Sequence, residues 1–221
     1  MIIAIDGPAG SGKSTIAKIL ARRLGLVFLN TGSFYRALTL AWLRHNGGAG
    51  DGSGSGISLP LDEDAVIAFA RSVDFAYRDG HIWLGQEDVE PFVRSDAVEA
   101  LVAPLSGIVE VRHIVNHKIR EVARATGVVC EGRDMTTVVF PDAEHKFYLD
   151  ASVEARAKRR FEQGTSGLGF DEICRSIAER DEVDRNKKEG SLKIAPDAFY
   201  IDTSDLTIDA VCEIIVSKIH L

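Results

Sequence analysis

Cysteine is scarce in this chain, with three among 221 residues, at Cys130, Cys174 and Cys212. An odd number of widely spaced thiols excludes a disulfide framework and a zinc knuckle, and predicts reduced, buried thiols that only pack. Long apolar runs are absent too. None approaches the roughly 20 residues of a membrane span, and the first residues enter a short apolar stretch without a basic leader and cleavage site. These absences predict a cytoplasmic protein with no membrane partner. Positive charge is in deficit, with 26 Lys and Arg against 33 Asp and Glu and a net charge of −7. That balance argues against a surface coated for non-specific nucleic-acid binding, so no nucleic-acid partner is expected and the basic residues have to be read by position. Aromatic residues make up only 7%, and Trp42 and Trp83 are read as packing residues. What is present, 45% apolar and 27% charged residues, suits one domain with room for an elaboration, and we read the chain as a monomer.

The most informative segment is Gly7-Pro8-Ala9-Gly10-Ser11-Gly12-Lys13-Ser14, which matches G-x-x-x-x-G-K-[ST] at every fixed position. It follows the apolar run Ile2-Ile3-Ala4-Ile5 and precedes a helical pattern, so strand, loop and helix come in the required order. Glycines at 7, 10 and 12 let the backbone turn and aim successive N–H groups inward, while the helix presents its positive end to the same anion. Lys13 is then expected to reach β- and γ-phosphates, the Ser14 hydroxyl to complete the shell of a bridging Mg²⁺, and Thr15 to extend the helix start.

The pattern along the chain predicts an α/β fold. Lys13–Leu24 reads as a helix with Ile16, Leu20 and Leu24 on one face. Apolar runs at 26–29, 127–130, 146–149 and 198–201 read as further buried strands separated by helices, which makes a parallel sheet covered on both faces. Ligands of such sheets lie beyond the carboxyl ends of the strands, so Asp6, Asn30, Glu131 to Asp134 and Asp150 are the positions to inspect. The middle differs. Residues 47–56 carry six glycines in ten and predict a flexible surface loop without chemistry. A helix over 61–71 and a hairpin of Val73–Tyr77 with His81–Leu84 then break the parallel alternation, so 47–95 is read as an inserted antiparallel subdomain.

Several charged constellations admit two readings each. Thr31 is either a plain N-cap or, with Arg36 five residues on, a second phosphate holder at a helix start. Arg133-Asp134 is either a surface ion pair or, because it follows a strand on the phosphate-loop side, a cation for transferring oxygens beside an acceptor for a base amino group. Arg156, Lys158, Arg159 and Arg160 form a solvated face, or part of a lid over about 152–169 hinged at the glycines of 163–169. Arg180, Asp184 and Lys187 or Lys188 share a helix face, as an ion-pair ladder or around one ligand. His113 and His117 are spaced i, i+4 without a glutamate after His113 or a third ligand, and are not read as a metal site.

Together the segments IDGPAGSGKST at 5–15, TGSFYRA at 31–37, EGRDMTTVVFPDA at 131–143, RDEVDRN at 180–186 and APDAFYIDTSDLTI at 195–208 resemble the bacterial cytidylate kinases of the nucleoside monophosphate kinase family, over nearly the whole chain. The resemblance implies one kinase domain over 1–221. Its P-loop NTPase-type core would be about 1–46 and 96–221, with an acceptor-binding insert at about 47–95 and a helical lid. It implies transfer of the ATP γ-phosphoryl group, with Mg²⁺, to CMP or dCMP. Gly7, Pro8, Ala9, Gly10, Ser11, Gly12, Lys13, Ser14 and Thr15 would hold ATP. Thr31, Arg36 and Arg133 would hold the acceptor phosphate beside Tyr35, Arg112 and Asp134 would read cytosine, and Arg180 and Asp184 would grip the pentose. Arg156, Arg159 and Arg160 would act with Lys13, Arg133 and Arg180 on the transition-state charge. Lys187 stands where the family pattern has an arginine, and Ala103 where relatives carry a base-contacting serine, with Ser106 nearby. A kinase for another small acceptor shares much of this pattern. A GTP-binding switch would add an Asn/Thr-Lys-x-Asp motif, which does not occur, and a non-catalytic nucleotide module would lack Arg36, Arg112 and Arg133.

Overall fold

The structure, a computed structural model, describes residues 1–47, 61–164 and 168–219. Most of the glycine-rich stretch 47–56 and residues 165–167 of the expected lid hinge lie outside the described residues. In chain order the elements are β1 (Ile2–Asp6), α1 (Lys13–Leu24), β2 (Val27–Asn30), α2 (Thr31–His45), α3 (Glu63–Ser72), β3 (Phe75–Arg78), β4 (His81–Leu84) and β5 (Glu87–Asp88). There follow α4 (Asp96–Gly107), α5 (Val109–Thr126), β6 (Val128–Gly132), a π-helical turn at Met135–Val139, β7 (His145–Asp150), α6 (Val153–Glu162), α7 (Phe170–Asn186), β8 (Phe199–Asp202) and α8 (Ile208–Lys218). Among the described residues no helix is long and apolar enough to cross a membrane.

Packing divides the chain into two units, Met1–Leu29 with Gly127–Leu221, and Asn30–Thr126. The first is built on a sheet of strand order β2-β6-β1-β7-β8 in which β6–β1, β1–β7 and β7–β8 run parallel. Because side chains alternate along a strand, the register that pairs Ile3 with Val129 and Ile5 with Phe147 puts all four on one face. Leu149 and Ile201 extend that face, and Ile16, Ala17, Leu20 of α1 with Val211, Cys212, Ile215 of α8 cover it. Ala4, Cys130 and Tyr148, which alternate with these, are buried as well, as expected of strands in a parallel sheet. Helices α6 and α7 pack on each other through Ala157, Ile173 and Ile177.

The second unit carries β3-β4-β5, an antiparallel sheet. Asp79 and Gly80, both with positive φ (53° and 83°), make the two-residue turn that keeps Arg78 opposite His81. Phe34 of α2 stacks on Tyr77 with ring centroids 5.7 Å apart. This unit is wider than the insert read from the sequence, because α2 and α5 pack on α3 and on strands of the small sheet, and α4 packs on α2 and α5. Strand β5 has no sequence signal, being two acidic residues that pair with Trp83 and Leu84.

Among the described glycines, the one in the turn out of β1 has the closest neighbour. A Cβ on Gly7, whose φ is 149°, would lie 2.0 Å from the Leu149 carbonyl oxygen on β7. At Gly12 (φ 91°) nothing lies within 4 Å, so only the backbone conformation resists a side chain, at about 1–2 kcal/mol. Gly7→Ala is therefore expected to lower the thermal unfolding midpoint well beyond Gly12→Ala; equal midpoints would contradict the contact with β7.

Candidate active site

Helix α1 begins on Gly12 with no side-chain cap, so its first amide groups are left for a ligand rather than for the protein. Ahead of it the loop closes on itself. The Lys13 ammonium donates to the Pro8 carbonyl at 2.7 Å and to the Ser11 hydroxyl at 3.4 Å, and is 4% exposed. Burial, reinforced by the nearby Arg133 guanidinium, lowers its pKa to about 7. Ser14 donates its hydroxyl to Glu131 at the end of β6, 2.8 Å away. A hydroxyl and a carboxylate side by side at the mouth of an anion-binding loop are the hard oxygen donors that Mg²⁺ takes.

A cavity of about 340 Å³ opens from this loop. It is lined by the run Gly10–Ile16, by Arg159 and Arg160 of α6 with Gln163 just after that helix, and by Thr203, Leu206, Ile208 and Val211. Cations and hydroxyls beside the phosphate cradle, with aliphatic groups beyond, give a slot suited to a nucleoside attached to phosphates. Arg159 is held there by Thr203, which accepts from it through both its hydroxyl (3.2 Å) and its carbonyl. The same hydroxyl bonds to the carbonyls of Asp150 (2.8 Å) and Ser11 (3.3 Å), so loop, β7 and α6 share one anchor. Arg156 lies one turn earlier on the same helix. It does not line the cavity but lies buried against the loop carbonyl of Ala9, paired with Asp181. Arg159 and Arg160, one turn further along α6, are part-buried, whereas Arg156 is 2% exposed.

Behind the loop, Asp6 accepts from the amides of Met135 (2.9 Å) and Thr136 (2.7 Å) and from the Thr136 hydroxyl (2.6 Å). Burial nevertheless outweighs these donors and pushes its pKa up to about 6. The contacts fix the start of the π-helical turn directly after Arg133 and Asp134. Arg133 donates through Nε to Asp184 at 2.8 Å, and Lys187 donates to the other oxygen of the same carboxylate at 2.7 Å. Burial alone would raise the Asp184 carboxyl, but these two cations hold it below the ordinary carboxylate range. Arg133, Asp184 and Lys187 are thus one cluster, and Arg180 lies one turn earlier on α7. Asp134 is 4% exposed.

In the other unit, Thr31 is the first residue of α2 and is buried; the cap position falls to Asn30, whose side chain makes no capping bond. The plain N-cap reading of Thr31 is therefore corrected. Arg36 donates to Glu99 at 2.8 Å, lying where a Cβ on Gly32 would come within 2.8 Å of its guanidinium. Arg112 lies over the Tyr35 ring, 5.5 Å from its centroid, and the Tyr35 hydroxyl donates to Asn116 at 2.9 Å. His113 and His117 are exposed and face Glu110 and Glu121. Sequence reasoning assigned no role to Glu131, Asp181, Thr203 or Glu99. Glu131 had a signal, its place at a strand end, whereas the other three are tied to their partners across 25, 44 and 63 residues of chain.

Comparison with known proteins covers the whole of this arrangement. The family profile described as cytidylate kinase matches residues 3–221. A cytidylate kinase of Thermodesulfovibrio yellowstonii is 40% identical over 221 residues, covering 99% of this chain and 97% of its own. Cytidylate kinase 1 of Borrelia garinii subsp. bavariensis is also 40% identical, over 100% of this chain and 97% of its own. In fold, an uncharacterized protein from Eubacterium ventriosum superposes with a TM-score of 0.52 at 12% identity, covering 98% and 96% of the two chains. With its phosphate loop, the Arg133–Asp184 cluster and the small antiparallel sheet all inside the matched span, the chain belongs to the cytidylate kinase family and is a phosphotransferase.

Proposed function

We propose that the protein transfers the γ-phosphoryl group of ATP, with Mg²⁺, to CMP or dCMP, releasing ADP and CDP or dCDP. The observation that carries this reading is the cavity running from the Gly10–Ile16 loop to Leu206, Ile208 and Val211, in a chain whose family match is full length. In this reading the loop amides and Lys13 take the triphosphate, and the aliphatic residues with Arg159 and Arg160 take the donor base. Ser14 and Glu131 would hold Mg²⁺, which when bound neutralises charge between the β- and γ-phosphates.

For the acceptor, Thr31 and Arg36 on α2 and Arg133 after β6 are assigned to the phosphate, Arg180 and Asp184 to the pentose, and Arg112 with Asp134 to cytosine. Tyr35 carries Arg112 on its ring. Lys187 bonds Asp184 from the side opposite Arg133, so it supplies a point charge where a guanidinium would grip phosphate at two points. The attacking oxygen of a nucleoside monophosphate is already anionic near neutral pH, so no general base is needed. Lys13, Arg133, Arg180 and the α6 arginines at the cavity spread the developing charge, and excluding water keeps hydrolysis from competing. Asp134 discriminates by hydrogen-bond sense. It accepts from the cytosine N4 amino group but would face a carbonyl on uracil, a mismatch worth about 1–3 kcal/mol.

The direct test is ADP release from ATP and Mg²⁺ with CMP, dCMP, UMP, AMP, GMP and shikimate offered separately. Turnover with CMP and dCMP alone is expected, and turnover only with another acceptor would overturn the reading. Lys13→Ala is expected to remove most turnover, and near-wild-type rates would refute its role. Asp134→Ala should narrow the CMP-over-UMP ratio by about tenfold or more, with ATP affinity retained; an unchanged ratio would remove Asp134 from base reading. Because free Lys13 has a pKa near 7, it is largely neutral at about pH 8, and a polyanion restores its charge. Calorimetry of a non-hydrolysable ATP analogue in buffers of different ionisation enthalpy should show proton uptake at pH 8 that Lys13→Ala lacks, and that shrinks at pH 6. Equal proton counts in the two proteins would show that Lys13 does not titrate on binding.

A further inference from the structure

Arg156 and Asp181 are the most completely buried ion pair given for the described residues, each side chain being 3% exposed. The guanidinium forks onto the carboxylate, Nη1 to Oδ1 at 3.1 Å and Nη2 to Oδ2 at 2.7 Å. Its remaining bonds go elsewhere. Nε donates to the carbonyl of Ala151 at the end of β7 (2.9 Å), and Nη1 also donates to the carbonyl of Ala9 inside the phosphate loop (3.1 Å). The loop approaches this residue so closely that a Cβ on Gly10 would lie 3.3 Å from the Cβ of Arg156. One planar group thereby joins the phosphate loop, the end of β7, α6 and α7. On α7, Asp181 directly follows Arg180 and stands one turn before Asp184, which holds Arg133.

The geometry points to Arg156 and Asp181 as positioning residues that lock the phosphate loop to helix α7, so that the loop's donors and the Arg180–Asp184 face keep one register during transfer. The inference rests on the proposed reaction, in which those two groups of residues handle donor and acceptor. It differs from the expectation that Arg156 is a lid arginine meeting transferring phosphate. A guanidinium with a carboxylate fork and two carbonyls on it, in the interior, leaves that network only by stranding a buried charge. Its value to the reaction lies in the alignment it enforces.

The two roles separate on Asp181. If Arg156 acted on phosphate, Asp181→Asn would leave the arginine in place with its charge freed, and turnover would hold. If the pair is a lock, Asp181→Asn, on a helix remote in sequence from the loop, weakens ATP binding at the loop and lowers kcat. Arg156→Lys, which cannot reach carboxylate and both carbonyls together, does the same. The experiment measures the affinity of a non-hydrolysable ATP analogue, kcat and KM for each variant and for the double variant, below each protein's unfolding transition. Ile177→Ala, buried in the same α6–α7 contact, controls for lost stability. The expected result is a loss of about tenfold to a hundredfold in kcat and weaker analogue binding in both single variants. The double variant should be no worse than either, and Ile177→Ala should match wild type per folded molecule. Wild-type kinetics in Asp181→Asn, or losses that add in the double variant, would overturn the lock, as would equal losses in Ile177→Ala. If wild-type protein turns over no CMP, the proposed reaction fails by itself, and analogue affinity in the same variants still decides whether α7 is coupled to the loop.

Discussion

At Gly7 and Gly10 the backbone of the phosphate loop has little spare room. A methyl group at Gly7 would overlap the carbonyl of Leu149, one at Gly10 would press on Arg156, and Asp6 has its carboxylate committed to the turn after β6. The phosphate loop is therefore held against β7 and α6, and the end of β1 that leads into it is tied to Met135 and Thr136, before its ligand arrives. Preorganisation of this kind lets a chain of amides oppose a polyanion without reorganising at the moment of reaction. The cost appears in the titrating groups. Burial holds Lys13 down to about 7 and Asp6 up to about 6, each pushed toward its neutral form by the same enclosure.

The charged residues of the first unit sort by how deeply their pairs are buried. Arg156 and Asp181, at 3% and 3%, are sealed into the fold, where breaking a pair leaves an uncompensated charge. Arg133 and Asp184, at 22% and 6%, lie at the edge, with the arginine open to solvent on one side. Arg36 and Glu99 in the second unit, at 24% and 46%, are more open still, and pairs so exposed are held by little. An incoming phosphate can compete for Arg36 and Arg133 with their carboxylates, and cannot for Arg156. This gradient separates the cations open to a ligand from the cation sealed into the fold.

Much of the architecture was legible residue by residue. The apolar runs ahead of Asp6, Glu131 and Asp150 became adjacent strands of one sheet, and the period of Ile16, Leu20 and Leu24 marked the face of α1 that packs on it. Asp79-Gly80 announced its hairpin through the one residue type that tolerates positive φ freely beside one that tolerates it often. The two-residue strand β5 was not legible, because pairing with Trp83 and Leu84 alone makes it a strand. Nor was the π-helical turn, which exists because Asp6 gathers the amides of Met135 and Thr136 from far along the chain.

The sequence by itself determined the phosphate loop and the parallel core around it, since a contiguous motif carries its own backbone geometry and apolar periodicity is a local property. Only the tertiary structure decided the partners of the charges. Arg156 and Arg159 are three residues apart on one helix, yet one is sealed against Asp181 and the other is held by Thr203 at the cavity. Nothing in their local spacing distinguishes them. The distinction comes from what each meets along α6, Asp181 and the Ala9 carbonyl for one and Thr203 for the other, and those partners are remote in the chain.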